Sequence, residues 1–205
     1  MPVLNRRSAI QAGIALPLVA SLPGRIAGAN EPDNAVLQLE RVVFDVRFSE
    51  SYEAAQAIAG HGVDPAPIAD DLMRLWYDEL DLQWKASPMT LGGIALPETL
   101  FVLETFALDR GMQVVFRGEH AVAEGDSITH SLQGPQAMLE QFAHAARSES
   151  WPLALAHAMR RCPAEPAPLN EMSVQTKLPA QTLPQLRSET LVSWIIAPRN
   201  RHRSS

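Results

Sequence analysis

Cysteine is the scarcest reactive residue in this 205-residue chain, where Cys162 stands alone. One thiol excludes an internal disulfide framework, a Cys-rich zinc or iron–sulfur centre and a Cys-x-x-Cys-His haem attachment. Positive charge is also in deficit, with 17 basic residues against 23 acidic and a formal net charge of −6. That balance argues against nonspecific nucleic-acid binding. The chain has no Gly-x-Gly-x-x-Gly, Walker loop, His-Glu-x-x-His or Gly-x-Ser-x-Gly. Their absence discards the common cofactor enzymes, and no cofactor is expected. What is present is a 46% hydrophobic, 20% charged chain, a balance that suits one globular domain.

Residues 1–29 lack any Asp or Glu. They carry Arg6 and Arg7, then an apolar run from Ala9 to Leu22, then Ala27-Gly28-Ala29. The run is diluted by Gln11, Gly13 and Pro17 and falls short of the roughly 20 apolar residues that span a bilayer. A basic start, a short apolar core and a small-x-small site form a secretory signal, with cleavage expected after Ala29. The stretch Asn5-Arg6-Arg7-Ser8-Ala9-Ile10 resembles a twin-arginine signal, with Ala9 where that family commonly has Phe. The resemblance implies folding before export and a periplasmic address. Cleavage would leave 14 basic residues against 23 acidic, a soluble and anionic product.

Beyond the signal, alternation in Leu39–Phe48 places Val42, Phe44, Val46 and Phe48 on one face of a strand. Ser49 and Ser51 are candidate caps for a helix over 52–59, closed by Gly60. Asp64-Pro65 reads as the start of a second helix through Ile68, Leu72, Leu75, Trp76 and Leu80. Met89–Ala95 reads as a short strand in which Gly92-Gly93 permits close backbone approach. A helix over 97–110, a strand over 112–116, a strand over 127–132 and helices over 135–147 and 150–161 follow. This order predicts an α/β sandwich with a mostly parallel central sheet flanked by helices. The predicted units are residues 1–29 as signal, 30–162 as the α/β domain, and 163–205 as an extended appendage. The appendage combines a proline-rich linker, the strand Leu191–Ala197 and a basic tail with Arg199, Arg201 and Arg203. Strand 191–197 either returns to the chain's own sheet or pairs with another protein, and the long linker favours docking.

Candidate chemistry gathers at the carboxyl ends of the strands, where open α/β sheets bind ligands. Asp45, Arg47 and Ser49 follow the first strand, and Arg117, Glu119 and His120 follow the later one. Two arginines with a Glu–His pair suit an anion or acid–base chemistry, unless they only pair with each other at a wet sheet edge. Glu104 falls between Leu100 and Leu108 in an apolar stripe, so it is either paired with an arginine or a catalytic acid. Glu119, His120, Asp126 and His130 match no established metal spacing, and no metal is expected. Cys162 reads as a buried, idle thiol, and Trp76, Trp84 and Trp151 as core residues.

Two classes of function remain. One is an exported accessory protein or small subunit of a larger, redox-type periplasmic enzyme. The other is a small α/β enzyme or binding protein for an anionic metabolite.

Overall fold

The computed structural model describes residues 36–69, 71–123, 126–165, 167–178 and 189–199. The chain divides into two units, residues 1–33 and 34–205, and every described residue belongs to the second. The signal residues Arg6, Arg7, Ala27 and Ala29 lie outside the described residues.

In chain order the elements are β1 (Arg41–Asp45), α1 (Ser49–Ala59), β2 (Asp64–Ile68), α2 (Leu72–Leu75), a π turn (Trp76–Leu80) and α3 (Asp81–Ala86). Then come β3 (Leu91–Ala95), α4 (Pro97–Asp109), β4 (Met112–Ala123), β5 (Ser127–Gly134), α5 (Gln136–Ala145), α6 (Trp151–Met159), β6 (Asn170–Lys177) and β7 (Leu191–Pro198). The strands form one seven-stranded sheet in the order β2-β1-β3-β7-β4-β5-β6.

The α/β class holds, but the mostly parallel sheet does not. Only β1 with β2 and β1 with β3 pair in parallel, and the other four pairings are antiparallel. The number of helices in each connection explains this. A single crossover helix carries the chain back to the strand's starting end, so the next strand runs parallel, as in β1-α1-β2. The helix pair α5–α6 returns it to the end it left, so β6 runs antiparallel to β5. The three residues between β4 and β5 are too few for a crossover, which leaves a hairpin.

The expected helix start at Asp64-Pro65 is a strand instead. Asp64 and Ala66 each precede a proline, which pushes both towards extended backbone. The helical run begins at Leu72, capped by Asp71, whose carboxylate accepts from the Arg74 backbone N–H at 2.9 Å. Its apolar residues 72, 76, 80 and 84 are spaced by four, which drifts about 40° per step around an α-helix. The wider turn over Trp76–Leu80 absorbs that drift and keeps Trp76, Leu80 and Trp84 buried together.

The appendage is also corrected. β6 lies inside the supposed linker as the sheet's edge strand. Its half-buried row Met172, Val174 and Thr176 is too sparse to show as an apolar period. β7 is not a docking strand. It sits between β3 and β4 in the middle of the sheet, with Leu191–Ala197 buried throughout.

Two apolar layers sandwich the sheet. One packs α1, α5 and α6 on Val42, Phe44, Ile94, Phe116 and Ile195, with Trp151 among its members. The other packs α2–α4 on Val43, Leu91, Trp194 and Ile196. Gly93 makes the expected close approach: a Cβ there would stand 2.0 Å from the Trp194 ring. Helices cover both faces of the parallel half. Among the described residues no helix covers the second face over β5 and β6, where Ser131, Gln133, Glu171 and Ser173 are exposed.

Candidate functional site

At the carboxyl end of β1, Asp45 is fully buried and Arg47 closes over it. The guanidinium is bidentate, with Nε to Oδ1 at 2.9 Å and Nη2 to Oδ2 at 2.6 Å. The Arg47 backbone N–H adds a third bond to Oδ1 at 3.0 Å. The expected serine caps are not caps. Ser49 Oγ donates to Glu50 Oε2 at 2.9 Å, while Ser51 Oγ accepts from the Asp45 backbone N–H and donates to the Ile94 carbonyl. Ser51 therefore ties the end of β1 to β3. A shallow cleft of about 320 Å³ opens beside this corner, lined by Arg47, Leu72, Leu96, Glu98 and Thr99.

Arg117, Glu119 and His120 do not follow a strand. β4 extends to Ala123, so all three lie within it. The sheet order puts three inter-strand steps, about 14 Å, between β1 and β4. Arg47 and Arg117 therefore belong to separate places. Arg117 Nη2 meets Glu104 Oε2 of α4 at 2.5 Å, with the side chains 38% and 36% exposed. The arginine partner expected for Glu104 is thus Arg117, at the surface and not in the core. Phe101 and Leu108 on α4 are 72% and 51% exposed, so their stripe faces outward.

Glu119 and His120 are neighbours in sequence and point to opposite faces of β4. Glu119 borders a groove of about 460 Å³ on the bare face, with Arg117, Ser131, Gln133, Glu171 and Ser173. His120 is fully buried beneath Trp151, whose ring stacks on the imidazole at 4.6 Å and 28°. Directly across the hairpin stands His130, also buried, with the two Nδ1 atoms 2.7 Å apart. His120 Nε2 meets Ser193 Oγ at 2.9 Å, and His130 Nε2 meets Thr176 Oγ1 at 2.8 Å.

The result is a chain of hydrogen bonds across four adjacent strands, from β7 through β4 and β5 to β6. Gly118 makes room for it, since a Cβ there would lie 2.7 Å from Ser193 Oγ. Burial drives both imidazoles towards the neutral form. His120 is held well below the ordinary value, its neighbour His130 adding to the effect, and His130 is lowered to about 4.

The sequence singled out both histidines without pairing them, and missed Ser193 and Thr176. The available signal was symmetry: His120 and His130 lie equally far from Gly125, and Gly125-Asp126 is a turn dipeptide. The weighed grouping of Glu119, His120, Asp126 and His130 does not converge. Among the described residues no three His, Cys, Asp or Glu side chains form a metal-binding group.

Cys162 is buried, and burial pushes its thiol up to about 12, so it carries no thiolate near neutrality. His144 and His157 are exposed on their helices. No protein family, curated protein or solved structure matches this chain.

Proposed function

We propose that the chain is an exported accessory protein that binds a larger periplasmic protein through the outer side of α4 and the bare face of β4–β6. One observation carries this reading. Phe101 and Leu108 stand exposed about one turn either side of Glu104, whose partner Arg117 lines a polar groove with Glu119 and Gln133. An apolar stripe next to a polar rim is the composition of a protein-binding surface. The residues suited to acid–base chemistry do not meet: His120 is sealed under Trp151, while Glu119 lies on the other face. The test is the pair Phe101→Asp and Leu108→Asp, made together in the exported chain. The partner should be lost from the purified complex while the circular dichroism spectrum stays unchanged. Retention of the partner at wild-type stoichiometry would overturn the assignment. Export itself is tested by changing Arg6 and Arg7 to Lys, which should leave the chain in the cytoplasm because lysine lacks the planar donor fork.

A second reading, a binder of small anions, draws support from the cleft beside Arg47 at the start of α4. Thermal shift with carboxylates and phosphate measures it. No shift at millimolar ligand would dispose of it.

A further inference from the structure

We infer that the β6 edge is a self-association surface, and that two copies of this chain join β6 to β6 in antiparallel register across a two-fold axis at Val174. This edge adjoins the face proposed above and shares Glu171 and Ser173 with it, but its test reads association of this chain alone.

The two edges of the sheet are built differently. On β2, Pro65 and Pro67 alternate with Asp64, whose N–H bonds Glu40 on the β1 side at 3.0 Å. Both proline nitrogens therefore fall on the outer side, where they leave no donor for an added strand. That edge is closed. β6 carries no proline, keeps an unbroken eight-residue register with β5, and has no bulge. Among the described residues, nothing pairs with its outer side. The Leu178 N–H bonds Asp126 O at 2.9 Å. By alternation the N–H and C=O groups of Glu171, Ser173, Gln175 and Lys177 then point outward. Such an edge is a ready template for another strand.

The side chains along it are complementary to themselves. With the axis at Val174, Glu171 of one copy faces Lys177 of the other, and Ser173 faces Gln175. The same pairs recur by symmetry, as an isologous interface requires. Outward-facing backbone groups meet outward-facing ones in this register, so the ladder hydrogen bonds form.

α5 repeats the pattern. A groove of about 580 Å³ runs between it and the edge, lined by Glu140, Ala143, His144, Arg147, Met172 and Val174. An axis level with Ala143 and His144 turns Glu140 of each copy towards Arg147 of the other. It also covers Met172 and Val174, which are half-exposed although they pack on the helix-side core. Gln175 of the second copy then borders the polar groove that ends at Ser173.

Sedimentation velocity of the full chain over a micromolar concentration series tests this. The wild type should sediment as a dimer. Ser173→Pro removes an outward N–H and leaves the β5 ladder intact, so it should sediment as a monomer that keeps a cooperative melt, now independent of protein concentration. Lys177→Glu sets like charges opposite each other twice and should raise the dimer Kd about tenfold. Adding Glu171→Lys to it should restore association. A wild-type monomer throughout the series overturns the proposal, as does a dimer that neither Ser173→Pro nor Lys177→Glu weakens.

Discussion

His120 and His130 face each other across the β4–β5 hairpin with their Nδ1 atoms 2.7 Å apart, so only one proton fits between them. One ring must be the Nδ1–H tautomer and the other the Nε2–H tautomer. Either the Ser193 hydroxyl donates to His120 and the chain runs outward to Thr176, or the Thr176 hydroxyl donates and it runs inward. Each direction satisfies every ring nitrogen. A further proton would leave both Nε2 atoms donating to the two hydroxyls, so it is the burial of the charge, not the loss of a hydrogen bond, that disfavours it.

This relationship fixes a pH dependence. Both imidazoles are below the ordinary value of 6.5 when folded, chiefly because burial disfavours the charged form, and His130 is lowered to about 4. The unfolded chain binds protons below 6.5 while the folded chain refuses them, so stability is full above that pH and falls as pH drops. His130 alone accounts for a loss of about 3 kcal/mol between pH 6.5 and 4, and His120 extends it. Urea denaturation at pH 7.5, 6.5, 5.5 and 4.5 measures the slope. A flat profile from 6.5 to 5 would contradict it.

Gly93→Ala should destabilise the domain by about 1–3 kcal/mol or more, because the new Cβ would stand 2.0 Å from a fully buried tryptophan ring. Adding Trp194→Leu should recover part of that loss relative to Trp194→Leu alone. Thermal melts of the three variants form the check.

The Glu104–Arg117 pair is more than a third exposed on both sides, so Glu104→Ala should cost no more than about 1 kcal/mol. A drop of several kcal/mol in a chemical denaturation would show that the pair is shielded.

Truncation at Ala180 removes β7 from between β3 and β4 and exposes both neighbours. Loss of the buried Leu191, Trp194, Ile195 and Ile196 amounts to several kcal/mol of apolar burial. The truncated chain should bind ANS and lose its cooperative melt. A stable, soluble truncation product would place β7 outside the fold.

Much of this architecture was legible in the sequence, and the failures share a cause. β1, α4, α5 and α6 were legible as dense apolar runs bounded by turn or capping residues, and of these α5 buries a single face, through Met138, Leu139 and Phe142. Asp64-Pro65 reads as a helix cap, but two prolines spaced by two make Asp64 and Ala66 each extended and so give the strand β2. β6 went unseen because an edge strand needs only one half-buried row. β7 was recognised as a strand, but periodicity says nothing about which neighbours a strand takes. The same limit hid the histidine chain. Its four members come from four strands, and pairing register, not local pattern, brings them together.

The proposed contact joins α4 and the bare face of β4–β6 to a larger exported protein. Photo-crosslinking from positions 101 and 133 of the exported chain, with exposed Gln56 on α1 as the control, decides whether that contact forms. One larger exported protein should be joined stoichiometrically from 101 and 133 and not from 56. An exported, folded chain that yields no such product from either position would contradict it.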